Sequence, residues 1–191
     1  LYLTPKPPHD EASLKALYAA PIPPEPTPSQ QEALECHKSD TPERVCFYEQ
    51  DFYVLSNFSS FRLEWQEKSF DTSEAAYHWE KFIHHPEIQQ QILEAPSAHE
   101  AFKIAEKYKE CRLIDWDAVK VGIMREILVA KATQHEYVKR KLLATGNREL
   151  VEDSWRDSYW GWGADQKGQN MLGKLWMEVR AILARPDEVT K

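Results

Sequence analysis

The stretch Asp71-Thr72-Ser73-Glu74-Ala75-Ala76-Tyr77-His78-Trp79-Glu80-Lys81-Phe82 decides how the chain reads. Asp71, Thr72 and Ser73 are residue types that start helices, and Asp71 with Glu74 has the spacing of a capping box. With helical periodicity, Ala75, Ala76, Trp79, Phe82 and Ile83 share an apolar side. Glu74, His78, Lys81 and His85 then fall on the opposite stripe, with Tyr77 at its edge. Two turns separate Glu74 from Lys81, roughly 10 Å along the axis, so both side chains can lean toward one small ligand. The stripe reads either as a solvated helix face or as the wall of a site.

A second segment weighs toward a site. Residues 150–173 hold Trp155, Trp160 and Trp162 together with Gly161, Gly163, Gly168 and Gly173, among the acids Glu152, Asp153, Asp157 and Asp165. A core strand has no need of that mixture. Glycine lets a backbone approach a ligand or take positive φ, and Trp offers a flat face for a base. A well-packed turn region is the alternative.

Composition narrows the classes. The length of 191 residues suits one ordinary domain, and the sequence has no stretch resembling a membrane span or a signal peptide. It starts at Leu1 without Met and is read as a trimmed piece. Cys36, Cys46 and Cys111 are odd in number, widely spaced and without metal-ligand pattern, so they read as reduced thiols of an intracellular protein, cytoplasmic or nuclear. No cluster has metal-ligand spacing, and no metal or cofactor is expected. The net charge of −7 argues against a broad nucleic-acid footprint and leaves room for a local contact only.

Nine of the twelve prolines lie in residues 1–42, which read as an extended arm serving as linker or strap, with a short helix possible near 10–20. The domain is expected over 43–186, with a tail at 187–191. Residues 45–48 read as a strand, and 61–65 with 68–70 as a hairpin. Helices are expected at 73–85, 86–94, 97–110 (with a Ser97–Glu100 capping box), 117–133, 136–145 and 170–184, and a strand at 149–153. The last helix should bury Leu172, Leu175, Trp176, Val179 and Leu183. The fold class is α+β: a mostly helical single domain with a small, mainly antiparallel sheet.

Taken in order, Phe47-Tyr48, Leu55-Ser-Asn-Phe58, Thr72-Ser-Glu74 with Lys81-Phe82, Trp116-Asp-Ala-Val-Lys120, Leu150-Val-Glu152, Asp157-Ser-Tyr-Trp-Gly161 and Gly168-Gln-Asn-Met-Leu-Gly173 resemble the NADAR family. The resemblance runs over most of residues 45–184. It implies an N-glycosidase. Some members split a phosphoribosyl group from an aminopyrimidine of riboflavin synthesis, and others remove ADP-ribose from guanine.

Carried onto matching positions, the resemblance makes Lys81 the nucleophile, attacking the anomeric carbon and holding the opened sugar as a Schiff base. Such a lysine must be partly buried or crowded by cations to lose its proton, and His78 and His85 are the candidates to supply charge. Glu74 is assigned to sugar hydroxyls or to proton transfer, with helix capping as its alternative. Asp157 acts as a base or steadies charge at the anomeric carbon, or caps the Trp-Gly turn. Glu152 can do either job. Substrate contacts are expected from Asn57, His78, Trp160, Gly161 and Trp162. Gly168, Asn170 and Gly173 open the last helix, where free N–H groups favour a phosphate. Trp116 reads as core.

Bacterial members tend to carry an acid where Trp162 stands and Lys and Arg where Gln169 and Met171 stand. A more aromatic, less cationic pocket suits a larger, base-containing ligand. The expected partner is therefore ADP-ribosylated guanine in DNA, RNA or nucleotide, with no membrane. A ribosylaminopyrimidine phosphate as substrate, or a non-catalytic ADP-ribose-binding module, are the alternatives.

Overall fold

A computed structural model describes residues 39–48 and 52–185. The proline-rich segment through residue 38 and the short helix expected near 10–20 lie outside the described residues. Ten elements follow in order: β1 (Arg44–Phe47), β2 (Leu63–Trp65), β3 (Lys68–Phe70), α1 (Ser73–Glu80), α2 (Pro86–Leu93), α3 (Ala98–Lys107), α4 (Trp116–Gln134), α5 (Glu136–Ala144), β4 (Glu149–Glu152) and α6 (Met171–Leu183). The described residues are thus mostly helical. No described helix is long and apolar enough to cross a membrane.

The sheet expectation needs correction. There are two separate two-stranded sheets, and β1 pairs with β4 in parallel, Arg44 opposite Glu149 and Phe47 opposite Glu152. Alternation along a strand marks its faces but carries no orientation. The helices between β1 and β4 supply the long crossover a parallel pair requires. Only β2 and β3 form an antiparallel hairpin. Its turn residues Gln66 and Glu67 both take positive φ, 48° and 60°, as a tight two-residue hairpin demands even without Gly or Asn.

Local chemistry sets the helix ends. The cap of α1 is Thr72, whose Oγ1 accepts from the Ala75 N–H at 3.2 Å. Asp71 does not cap it and pairs with Arg62 instead, at 2.8 Å. α1 stops at Glu80, short of the expected residue 85, and Pro86 opens α2 at its first position. Ser97 caps α3 through the Glu100 N–H at 3.2 Å, while the Glu100 carboxylate turns to Lys103 at 2.8 Å.

α4 runs through the centre, burying Trp116, Met124, Ile127, Leu128, Ala130, Lys131 and Ala132. α6 buries Leu172, Leu175, Trp176, Val179 and Leu183, the set its periodicity predicts. Trp176 donates from Nε1 to the Leu55 carbonyl at 2.8 Å, tying α6 to the loop that carries Asn57.

Candidate active site

α1 does not present a solvated stripe. Tyr77 and His78 are buried and Glu74 is largely covered, while Ile83, expected on the apolar side, is 46% exposed. The reason is that α1 has cover on both flanks. Phe102 of α3 packs edge-on against His78, with centroids 5.7 Å apart. Trp116 of α4 packs on Tyr77 at 5.0 Å, and Trp160 meets the same Tyr77 ring edge-to-face at 5.6 Å.

Lys81 follows the last residue of α1, and its Nζ lies 5.0 Å from the Tyr77 ring centre and 5.7 Å from that of Trp116. Burial against these rings pulls its pKa from 10.5 down to about 8. The carboxylates of Glu74 and Glu106 oppose that shift, and Arg112 and Lys120 assist it. Neither histidine expected to provide charge is among the groups that move Lys81 most. His78 is driven toward the neutral form, first by burial. His85 lies beyond the helix end and faces Glu87 at 3.3 Å in an exposed contact.

Glu74 Oε1 sits 2.7 Å from His78 Nε2. Neutral imidazole then carries its proton on Nε2 to donate to the carboxylate, which leaves Nδ1 as an acceptor. That Nδ1 is buried and without a hydrogen-bond partner, as are Asn57 Oδ1, Ser73 Oγ and Glu152 Oε2. Each of the four residues is linked to Glu74 through the chain, a hydrogen bond or its charge. Ser73 precedes it, His78 bonds to it, the Asn57 carbonyl accepts its N–H at 3.0 Å, and its charge acts on Glu152. Buried polar atoms are nearly always satisfied, so unpartnered ones mark these residues as unusual for a packed interior. The Asn57 amide nitrogen donates to the Met124 sulfur at 3.4 Å.

Glu152, at the end of β4, keeps part of its surface outward, yet its Oε2 is sealed. Burial pushes its carboxyl up to about 8, with the nearby charges of Asp157 and Glu74 adding to the rise. Asp157 Oδ1 accepts the N–H groups of Tyr159 at 2.7 Å and Trp160 at 2.8 Å, so it holds the Trp-Gly turn while its charge reaches Glu152. Lys81, Glu74, Glu152, Asp157, Asn57, His78 and Trp160 thus form one connected neighbourhood.

The other expected contacts have structural explanations. Trp162 packs with Cys46 and Val151 in a separate apolar cluster, donates from Nε1 to Asp153 at 2.7 Å and lies under the Arg44 guanidinium. Its ring belongs to the parallel-sheet side of the domain. A Cβ on Gly161 would stand 2.8 Å from the Glu152 carbonyl, and one on Gly168 2.6 Å from the Ser158 carbonyl. At Gly173 it would stand within 2.0 Å of the Leu150 carbonyl. These glycines permit close packing of loop, strand and helix. The phosphate expectation at the start of α6 also changes. Its Met171 and Leu172 N–H groups already donate to the Tyr159 and Trp160 carbonyls, both at 3.0 Å. The Asn170 side chain bridges β4, donating to the Leu150 carbonyl and accepting the Glu152 N–H.

Several residues of this neighbourhood were not marked as site residues by the sequence. Trp116 is buried, as expected of core, but it also forms the wall beneath the Lys81 amine. Lys120, one turn further along α4, lies 4.0 Å over the Tyr159 ring and presses on Lys81 electrostatically. Their i, i+4 spacing was the available signal. Phe102 and Glu106 share the corresponding spacing on α3.

The site thus gathers an amine of lowered pKa beside carboxyls in different environments, on a helical domain. The chain belongs to the NADAR domain family, whose model matches residues 46–184. It is 34% identical over 134 residues to the N-glycosidase YbiA of Escherichia coli, covering 70% of this chain and 83% of that protein. To the N-glycosidase Npun_R5314 of Nostoc punctiforme it is 36% identical over 140 residues, covering 71% and 90%. The riboflavin biosynthesis protein VVA0006 of Vibrio vulnificus is 35% identical over 141 residues, 73% of this chain but 38% of its own length. The NMR structure of E. coli YbiA superposes with a TM-score of 0.69 at 31% identity, covering 79% of this chain and 91% of that one.

Proposed function

We propose that the chain is an N-glycosidase that cleaves the bond between ribose C1 and a base nitrogen, and that it removes ADP-ribose from guanine through a Lys81 Schiff base. The observation that supports this is the Lys81 amine itself. With its pKa near 8, about a tenth of the molecules carry a neutral amine at pH 7, against a few in ten thousand at the free value. Relatives named N-glycosidase support the reaction class.

The neutral Nζ attacks C1 of the ribose as the C1–N bond to the base breaks. The leaving nitrogen takes a proton from Glu152, the carboxyl kept neutral by burial. Asp157 steadies positive charge developing at C1. Nζ then loses a proton, the C1–O4 bond opens, O4 takes a proton by way of Glu74, and a C1=Nζ iminium remains. Water adds to C1, the C1–Nζ bond breaks, and the free sugar leaves. His78 holds Glu74 in orientation through its Nε2–H.

A second reading keeps the chemistry and takes a ribosylaminopyrimidine phosphate as substrate, favoured by relatives named as riboflavin biosynthesis proteins. The test offers purified protein both glycosides and identifies products by mass spectrometry. Release of guanine from the ADP-ribosylated nucleoside is expected. Release of the aminopyrimidine alone selects the second reading, and turnover of neither leaves a binding module.

A further inference from the structure

The turn that leads into α4 is bound to the backbone of Lys81 itself. The Leu113 N–H donates to the Lys81 carbonyl at 2.8 Å, and the Leu113 carbonyl accepts the Trp116 N–H at 3.1 Å where α4 begins. Arg112 precedes this anchor, and Trp116, Asp117 and Lys120 follow it at the start of the helix. The segment therefore carries two cations and a carboxylate to a fixed place beside Lys81.

Lys120 is held firmly there. Trp116 and Lys120 stand at i, i+4 and share one face of α4. The Trp116 ring centre is 5.7 Å from the Lys81 Nζ, and the Lys120 Nζ lies 4.0 Å over the Tyr159 ring. Tyr159 meets Trp160 edge-to-face at 5.1 Å, Trp160 meets Tyr77 at 5.6 Å, and the Tyr77 ring centre is 5.0 Å from the Lys81 Nζ. A chain of ring contacts thus has a lysine amine against each end. The Lys120 side chain is 18% exposed, whereas Asp117, its ion-pair partner, is 67% exposed. Lysines are rarely covered to that extent.

The charges facing Lys81 form two opposed sets. Burial acts on it most strongly; Glu74 of α1 and Glu106 of α3 then favour its protonated form, and Arg112 and Lys120 disfavour it. His78 on α1 is driven toward neutrality, first by burial. Asp117 touches both cations, 2.7 Å from Lys120 and 3.7 Å from Arg112. A carboxylate so placed weakens the field of each.

We propose that Lys120 is a positioning residue for the Lys81 nucleophile: its anchored ammonium acts with Arg112 to keep the Lys81 amine unprotonated, and Asp117 moderates both cations. This rests on the N-glycosidase reading only for the use to which the free amine is put. A like charge disfavours protonation of its neighbour, and a partly buried pair is screened little by salt. Lys120 also packs on the loop that holds Asp157, but a purely structural clamp leaves the protonation of Lys81 where it is.

Competitive labelling with trace acetic anhydride between pH 6 and 10, read at the Lys81 peptide by mass spectrometry, measures the unprotonated amine without any turnover. In Lys120→Gln, labelling at pH 7 is expected to fall about threefold and to recover at pH 10, and Lys120→Arg restores it. Asp117→Asn is expected to raise labelling at pH 7 by about twofold. Unchanged labelling in Lys120→Gln, an equal loss at pH 7 and pH 10, a loss that Lys120→Arg leaves in place, or a fall in Asp117→Asn overturns the role. Product analysis with the wild-type chain keeps the two proposals apart. Turnover with labelling indifferent to Lys120 overturns only the positioning role, and the expected labelling pattern without turnover overturns only the N-glycosidase.

Discussion

The carboxylate of Glu74 and the imidazole of His78 stand 2.7 Å apart, one turn along the same helix, with side-chain exposures of 12% and 3%. Burial keeps the imidazole toward its neutral form, so Glu74 gains a hydrogen-bond donor without gaining a full counter-charge. Glu74→Gln retains an oxygen for His78 Nε2–H and removes only the charge. Its stability is expected to stay within about 1 kcal/mol of wild type, while kcat falls by about 100-fold or more through the lost proton transfer. Thermal unfolding and steady-state kinetics on the same preparation check both. A helix-capping role alone would leave kcat untouched.

The pH profile follows from two groups shifted in opposite directions. Lys81 is lowered to about 8 and must be neutral, so the rate rises as pH climbs toward that value. Glu152 is raised to about 8 and must be protonated, so the rate falls above it. A bell centred near pH 8 is expected in kcat/KM, its limbs belonging to the coupled set of groups. Glu152→Gln is expected to lose the alkaline limb and to lower the rate by about 100-fold. A pH–rate series from 6 to 10 on both proteins measures this.

Gly173 marks where α6 crosses β4. An added Cβ would stand 2.0 Å from the Leu150 carbonyl, a backbone atom that cannot swing aside. Gly173→Ala is expected to destabilise the domain by about 1–3 kcal/mol, as overpacking does. Urea unfolding reads the loss. A role for Gly173 in ligand contact alone would leave stability unchanged.

Lys131 is fully buried, with Nζ donating to the Ser56 carbonyl at 2.8 Å and to Ser59 Oγ at 2.7 Å, in the loop that carries Asn57. Burial lowers its pKa from 10.5 to about 7. Between those values the unfolded chain holds the extra proton, so this group makes stability rise with pH, by on the order of 5 kcal/mol in all. Lys131→Met removes that dependence. Its stability relative to wild type is expected to be highest at pH 6 and to decline toward pH 10, with the opposite slope from Glu152 cancelling in the difference. Denaturant unfolding at the two pH values decides it.

Much of the fold was legible because periodicity and caps are local. The amphipathic pattern of α6, the Ser97 cap and the short strands at 44–47 and 149–152 all follow from neighbouring residues. What failed was non-local. Nothing near Val45 or Leu150 encodes that they lie side by side in parallel, and nothing in α1 says that α3 and α4 cover its polar stripe. The same limit governed the site. Glu74, Lys81, Glu152 and Asp157 are chemically conspicuous and stood out, whereas Trp116 reads as core until Tyr77 and the Lys81 amine are placed against it. Trp162 stood out equally, but its partners Cys46 and Asp153 hold it elsewhere.

The most direct measurement treats the chain with ADP-ribosylated guanosine and borohydride, then maps the modified peptide by mass spectrometry. A single reduced sugar adduct on Lys81 is expected, abolished in Lys81→Ala and retained in Lys103→Ala, an exposed control that pairs with Glu100. Guanine release by Lys81→Ala at the wild-type rate, or an adduct on any other lysine, would contradict the proposed role of the Lys81 amine.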